Sequence, residues 1–407
     1  MEYLQLTTIR DSLNIILNYL KPVKVDTVPI SSAGGRVCFR DYFTPDDIPA
    51  FTRSTMDGYA VRAKDTRGAS AQSPVLLNLI GSININEAPT IKCHSGETCY
   101  VPTGGMLPEG ADAVVMVEKT EVSGQFLEVQ ETIASGENSI LKGEDYKKGE
   151  LIIARGTLIR PQEAGLLAFT GVGEVEVYNK VKIAIFGSGD EVVPLDVHPQ
   201  PPKIRDLNSY TLSSLFEING FLPMIRGILP DREEEVENRL KEDLLNFDAI
   251  VVSGGTSKGT RDVMSTVLTR MGNPGIIAHG LTIKPGKPTL LGVTNHIPII
   301  VLPGHPASCF ITATFIALPI LRFLGGRQDE PLKLTARGFL KKRIISRLGL
   351  EEYIRVNLFL EKGRVVVEPI PGESGLISTL VKANGLVKVP ENMENLEEGV
   401  EVEVLLL

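Results

Sequence analysis

The sequence predicts a multidomain chain of the α/β-plus-β class: a central, mostly parallel α/β sheet domain, a β-rich region before it and a small β domain after it. Three observations carry this expectation. The 407 residues exceed what one hydrophobic core holds, which favours roughly two to four domains. Between residues 179 and 325, short apolar runs alternate strictly with helical segments, the pattern of βα units whose parallel sheet is covered on both faces. On either side, prolines and glycines punctuate short alternating runs, which read as strands.

Residues 1–20 read as a helix capped by Thr8, with Leu13, Ile16, Leu17 and Leu20 near one face. Strands follow at Val75–Ile80, Thr98–Pro102, Ala113–Val117 and Leu127–Val129, and Arg160–Gly173 reads as a helix with Pro161 at an early position. In the α/β block, Val181–Phe186 precedes a helix that begins near Asn208-Ser209 and carries Leu212, Leu215 and Phe216. The strand Phe221–Ile228 leads to an acidic helix with Val236, Leu240 and Leu244, for which Asp231 is the expected cap. Ala249–Val252 leads to a helix with Val263, Val267, Leu268 and Met271, capped by Asp262. Strands at Ile276–Ala278, Thr289–Val293 and Ile297–Leu302 precede a long apolar helix ending at Gly325-Gly326. Tyr353–Leu360, the turn Lys362-Gly363 and Arg364–Glu368 form a hairpin.

The net charge of −8 argues against a nucleic-acid partner, because phosphate backbones require a basic surface. The longest apolar stretch, Phe310–Leu321, contains Pro319 and is too short to span a bilayer. With no charged-then-apolar leader, the expected compartment is the cytoplasm, without a membrane. Cys38, Cys93, Cys99 and Cys309 show no metal-knuckle spacing and are expected reduced.

Chemistry concentrates in three glycine loops, each following an apolar run: Gly187-Ser188-Gly189-Asp190-Glu191, Ser253-Gly254-Gly255-Thr256-Ser257-Lys258-Gly259 and Pro303-Gly304-His305-Pro306-Ala307-Ser308. If the three runs are neighbouring parallel strands, the loops share the sheet edge where open α/β folds bind ligands, and bare N–H groups there suit an oxyanion. The first loop lacks the third glycine of a dinucleotide fingerprint, and Gly286-Lys287-Pro288-Thr289 lacks P-loop spacing. Asp190, Glu191, Asp231 and Asp262 follow strand ends, and Lys258, Lys284 and Lys287 lie on loops of the same block. Carboxylates beside lysines suit a magnesium–phosphate ligand; the plainer reading makes Asp231 and Asp262 helix caps. Lys284-Pro285-Gly286-Lys287-Pro288 is either a preorganised lysine pair for a dianion or a rigid turn with solvated lysines. Ser308 can offer a hydroxyl and an N–H to an anion, whereas His305 reads as a loop filler bonded to its own backbone. Asp57, Thr103 and Asp145 lie in turn-rich upstream loops.

An ordered set of segments spans nearly the whole chain: Met56-Asp57-Gly58-Tyr59-Ala60, Thr103-Gly104 with Glu109-Gly110-Ala111-Asp112-Ala113-Val114-Val115, Gly143-Glu144-Asp145, Gly189-Asp190-Glu191, Ser253-Gly254-Gly255, Lys284-Pro285-Gly286-Lys287-Pro288, Pro303-Gly304 with Pro306 and Ser308, and Ala383-Asn384-Gly385-Leu386. Together they resemble the molybdopterin molybdenumtransferases, the MoeA proteins and gephyrin E domains.

The resemblance implies four domains: residues 1–42 with 142–178 as an elongated two-part N-terminal domain, 43–141 as an inserted β-rich domain, 179–326 as a MogA-like α/β molybdopterin-binding domain, and 327–407 as a C-terminal β-barrel. It implies a homodimer whose cleft is closed from across the dimer by the inserted domain with Asp57 and Thr103. The implied reaction inserts molybdenum from molybdate, or tungsten from tungstate, into adenylylated molybdopterin and releases AMP with Mg2+ assisting; a molybdopterin adenylyltransferase would be the upstream donor. By position, Asp57, Thr103, Asp145, Glu191, Asp231 and Asp262 would be catalytic, and Asp190, Glu191 and Asp262 would surround the metal. Gly254, Gly255, Ser257, Pro303, Gly304 and Pro306 would bind substrate, with Lys284, Lys287, Ser308, Arg355 and Ser374 at the oxyanion. The chain departs from the commoner pattern at His305, where many relatives carry asparagine, at Lys258, and at Thr260-Arg261 before Asp262. The alternative reading is a molybdopterin carrier or scaffold without catalysis.

Overall fold

A computed structural model describes residues 6–255, 260–328 and 334–407, with the backbone alone for 260–262. The chain divides into two units: one formed by residues up to Arg40, Arg155–Ala164 and Gly173–Leu407, the other by Asp41–Ala154 and Gly165–Val172.

In the first unit, six strands form one sheet: β1 (Lys182–Ser188), β2 (Leu222–Leu229), β3 (Ala249–Gly254), β4 (Pro274–His279), β5 (Leu290–Thr294) and β6 (Ile297–Leu302), in the spatial order β2-β1-β3-β6-β5-β4. The four strands β2, β1, β3 and β6 run parallel, and β5 and β4 close the far edge antiparallel. These strands are apolar almost throughout because both faces are covered. Ile183, Ile185, Val251, Ile300 and Leu302 meet Leu212, Phe216 and Ile311 on one face. Ala184, Phe186, Ile250, Val252, Ile299 and Val301 meet Val236, Leu240, Met264 and Val267 on the other.

Two expected helix caps move. The acidic helix runs Glu233–Asp243 with Arg232, not Asp231, at its N-cap. The next helix, Thr260–Met271, has already begun by Asp262. Asp231 instead faces its acidic neighbours, as described below. The N-terminal helix Ile9–Leu17 starts as read, with Thr8 Oγ1 accepting from the Asp11 N–H. The final helical run, Pro306–Leu324, is longer than its apolar stretch suggested: 19 residues make it long and apolar enough to cross a membrane, but 67% of its apolar 18-residue window is buried inside the protein, as in a core helix.

Five strands close a barrel after this domain: β7 (Thr335–Leu340), β8 (Glu351–Glu361), β9 (Arg364–Pro369), β10 (Gly385–Val389) and β11 (Glu401–Leu406). The ring runs β7-β11-β10-β8-β9 and returns to β7 through a parallel pair. Its interior holds Leu340, Val356, Val367, Val387, Val389 and Val404. The hairpin turn between β8 and β9 puts Lys362 and Gly363 both at positive φ, the conformation a two-residue hairpin loop requires.

The second unit is built on a six-stranded sheet in the order Ala113–Met116, Gly58–Val61, Glu97–Val101, Val75–Ser82, Phe126–Val129 and Thr120–Ser123. Its core includes Leu77, Leu127, Val129 and Val115. The four cysteines are free and buried.

Phe216 is fully buried between the first helix of the α/β domain and β1. Phe216→Ala is expected to cost about 3–5 kcal/mol, read as a lower denaturation midpoint for the transition that carries this unit.

Candidate active site

The parallel register sets the site. Ser188 pairs with Gly254, and Ser253 pairs with Leu302, so the three loops leave the sheet level with one another. Gly254 sits at φ +101°, and a Cβ there would lie 2.6 Å from the Ser188 carbonyl oxygen; no side chain fits so close to the neighbouring loop. Asn208 Nδ2 donates to the Gly304 carbonyl at 2.7 Å, tying the third loop to the first helix.

A cleft of about 1470 Å³ opens at these strand tips and extends to the barrel. Gly254, Gly255, Pro303, Gly304, Pro306, Ser308, Lys284, Lys287, Arg355, Ser374 and Glu191 line it, so most of the residues expected to bind substrate are brought together. Ser257 and Lys258 lie outside the described residues, as does the side chain of Asp262.

The lysine turn reaches the barrel through backbone pairing. Ile283–Lys284 forms a short parallel bridge to Glu351 and Glu352 of β8. The Lys284 Nζ ion-pairs with Glu352 at 2.7 Å, whereas Lys287 has no ion-pair partner among the described residues. Gly286 has φ +127°, and an added Cβ would strike the Thr312 methyl on the helix beneath. The turn is therefore clamped from both sides, which favours the preorganised reading over solvated lysines.

From the barrel side, Arg355 enters the cleft only 9% exposed. Its Nη2 donates to the Gly372 carbonyl at 2.7 Å, but Nε and Nη1 are buried with no hydrogen-bond partner. Burial pushes its pKa down, opposed by Glu373 and Glu352. A guanidinium with two idle donors is suited to an incoming oxyanion. His305 is not bonded to its own backbone: its Nδ1 lies 2.9 Å from Ser374 Oγ, and the Ala307 N–H donates to the Ser374 carbonyl at 3.0 Å. The polar tip of His305 reaches a partner on the barrel loop that short-range sequence could not reveal.

Asp190 and Asp231 are near Glu191 but are not among the cleft-lining residues. Asp190 Oδ1 accepts from the Asp231 N–H at 3.4 Å. Burial and then repulsion from Asp190 and Glu191 raise the Asp231 pKa, and its Oδ1 is buried without a partner. Among the described residues, no group of three or more His, Cys, Asp or Glu side chains is placed to hold a metal ion.

Asp57, Thr103 and Asp145 belong to the second unit. There, Asp57 Oδ1 accepts from both the N–H and the hydroxyl of Thr103, at 2.7 and 2.9 Å. These bonds hold the Asp57 carboxyl below the usual range. The Asp145 N–H donates to the Ile48 carbonyl at 3.0 Å.

Sequence reasoning missed Asp206 and Asn208, which also line the cleft. Asp206 is buried and accepts from the Ser209 N–H at 3.1 Å, and it lies against Gly187, where a Cβ would come within 2.9 Å of its Oδ2. The signal was present: an aspartate two residues before an asparagine, both at the start of the first helix of a βα unit. Glu352 was also missed, because on a β-strand one glutamate beside another gives no sign of which is buried.

Two outcomes follow from this geometry. Gly286→Ala combines a positive φ with a steric clash and is expected to cost about 1–3 kcal/mol, seen as a lower melting temperature. Asp231 binds its proton more tightly folded than unfolded, so its ionised form opposes folding, and stability falls as pH rises through its raised pKa. Asp231→Asn should therefore melt higher than the parent near neutral pH, with the gain shrinking as the pH drops towards the unfolded aspartate value of about 3.9.

Three family models match the chain in sequence order: "MoeA N-terminal region (domain I and II)" over residues 7–171, "Probable molybdopterin binding domain" over 184–322, and "MoeA C-terminal region (domain IV)" over 337–407. A protein of Methanocaldococcus jannaschii named for molybdopterin biosynthesis is 36% identical over 94% of this chain and 92% of its own length. A molybdopterin molybdenumtransferase of a Nostoc species is 31% identical over 100% of this chain and 95% of its own. The solved molybdopterin biosynthesis MoeA protein of Pyrococcus horikoshii superposes with a TM-score of 0.82 at 30% identity, covering 99% of this chain and 100% of that one. With matches running from the N-terminal region through the strand-tip cleft to the closed barrel, the chain belongs to the MoeA family of molybdopterin molybdenumtransferases.

Proposed function

We propose that this protein inserts molybdenum from molybdate into adenylylated molybdopterin, cleaving the adenylate and releasing AMP. The observation that carries this reading is the cleft in which glycine loops, the clamped lysine turn and a buried arginine with idle donors converge. Lys284, Lys287 and Arg355 supply positive charge to a tetrahedral dianion, and Ser308 and Ser374 supply hydroxyls. The glycine loops at the strand tips let the extended substrate lie against bare backbone. Tungstate has the same charge and shape and competes for the same groups.

Magnesium is part of this proposal. The buried Oδ1 of Asp231 has no hydrogen-bond partner and stands beside Asp190 and Glu191, so a cation here would relieve both burial and repulsion. By resemblance, Asp190, Glu191 and Asp262 would surround the ion, with Asp231 beside them; the side chain of Asp262 lies outside the described residues. When bound, magnesium would neutralise charge on the phosphate linkage. We also read the chain as a homodimer, which gives Asp57 and Thr103 a role at the cleft of the opposite subunit, and as a cytoplasmic enzyme supplied by a molybdopterin adenylyltransferase. Four free, buried thiols support a reducing compartment.

The test is AMP release from adenylylated molybdopterin, with molybdate and magnesium each omitted in turn. Release that needs both is expected; tight pterin binding with no release would instead favour the carrier reading. Lys287→Ala should keep the fold and bind molybdate roughly ten- to a hundredfold more weakly, the range for losing one charge-assisted contact. Sedimentation of the same protein tests the dimer.

A further inference from the structure

We propose that Glu352 is a positioning residue for the oxyanion end of the cleft, holding Lys284 in place from the barrel side. The inference deepens the molybdenum-insertion reading and rests on it.

Glu352 is 5% exposed, and a buried carboxylate persists only when its oxygens are paired. Both are. One accepts from Lys284 Nζ at 2.7 Å, and the other from the Ser346 hydroxyl at 2.7 Å. The backbone fixes the same pair, because Lys284 and Glu352 are register partners in the parallel bridge between the lysine turn and β8. On its other side, Glu352 pairs with Val389 of β10, so it sits inside the sheet and has no free edge along which to shift.

The Lys284 side chain is 45% exposed. A lysine that open would ordinarily sample many rotamers, because its stem has four rotatable bonds and its ammonium is well solvated. Here a carboxylate locked at both oxygens selects one. Lys287, three residues on, has no such anchor among the described residues. The two lysines therefore differ in what holds them: an ion pair anchors the Lys284 side chain, whereas Lys287 is positioned by the clamped backbone of the turn. Glu352 also acts electrostatically on Arg355, three residues along the same strand. One buried carboxylate thus bears on two of the cleft-lining cations assigned to the oxyanion.

The experiment uses the full-length protein and two variants. Glu352→Gln keeps the side-chain volume and the acceptor for Ser346 but removes the charge that holds Lys284; Ser346→Ala leaves the charge and frees the carboxylate to turn. Steady-state AMP release is measured as a function of molybdate. In parallel, Lys284 is labelled with an amine-reactive reagent and quantified against Lys287 by peptide mass spectrometry. Glu352→Gln should raise the molybdate KM by about five- to tenfold with kcat little changed, and should speed Lys284 labelling relative to Lys287. Ser346→Ala should shift both in the same directions by less. A variant that folds yet keeps the parental KM and labelling ratio overturns the proposal. So does a lower KM, since it would make Glu352 a charge that weakens anion binding. The labelling arm needs no turnover: absence of molybdate-dependent AMP release by the parent would refute the molybdenum-insertion reading, and an unchanged labelling ratio would refute the role of Glu352.

Discussion

The short parallel bridge between Ile283–Lys284 and Glu351–Glu352 is the contact on which the site depends. It is only two residues long, yet it joins the α/β domain to the barrel at the place where each contributes its cations. Lys284 and Lys287 come from one side and Arg355 from the other. Without this seam, the barrel would present a buried arginine to no ligand, and the lysine turn would be an ordinary surface loop. The contact between Ser374 and the start of the Pro306 helix reinforces it from the third loop.

Charge is grouped unevenly around the strand tips. Cations gather where the barrel meets the strand tips. Carboxylates gather after β1 and β2, where Asp231 is pressed against Asp190 and Glu191 at a cost in its ionised form. Proteins tolerate such crowding of like charge where a ligand will relieve it. Of these three carboxylates only Glu191 lines the cleft itself.

Much of this was legible in the sequence because local pattern and global fold agree. The runs around Ile183, Val251 and Ile300 are apolar almost throughout, the mark of strands buried on both faces, and glycines follow each one. That was enough to place three loops on one edge. The barrel hairpin was legible from Lys362-Gly363 for a similar reason: a left-handed turn accepts few residues. What escaped depended on contacts between distant segments. Asp231 reads as a helix cap because an aspartate before an acidic helix usually is one; only the folded chain reveals that Arg232 takes that position. His305 finds Ser374 sixty-nine positions away. Glu352 is indistinguishable from Glu351 until β8 is placed against the lysine turn.

The last helical run has a consequence of its own. Within Pro306–Leu324, Ser308 lies at the cleft, Thr312 lies under Gly286, and Phe315 stacks on Tyr353 of the barrel with ring centroids 4.1 Å apart. The segment Ala313–Ala317 is wound as a π-helix, wider than the α-helical turns around it. The run therefore works as a gauge rod with three marks, one for each part it touches. Each residue of an α-helix turns the rod by about 100°, so adding or removing a single residue between the marks would swing one off its target while leaving the others seated.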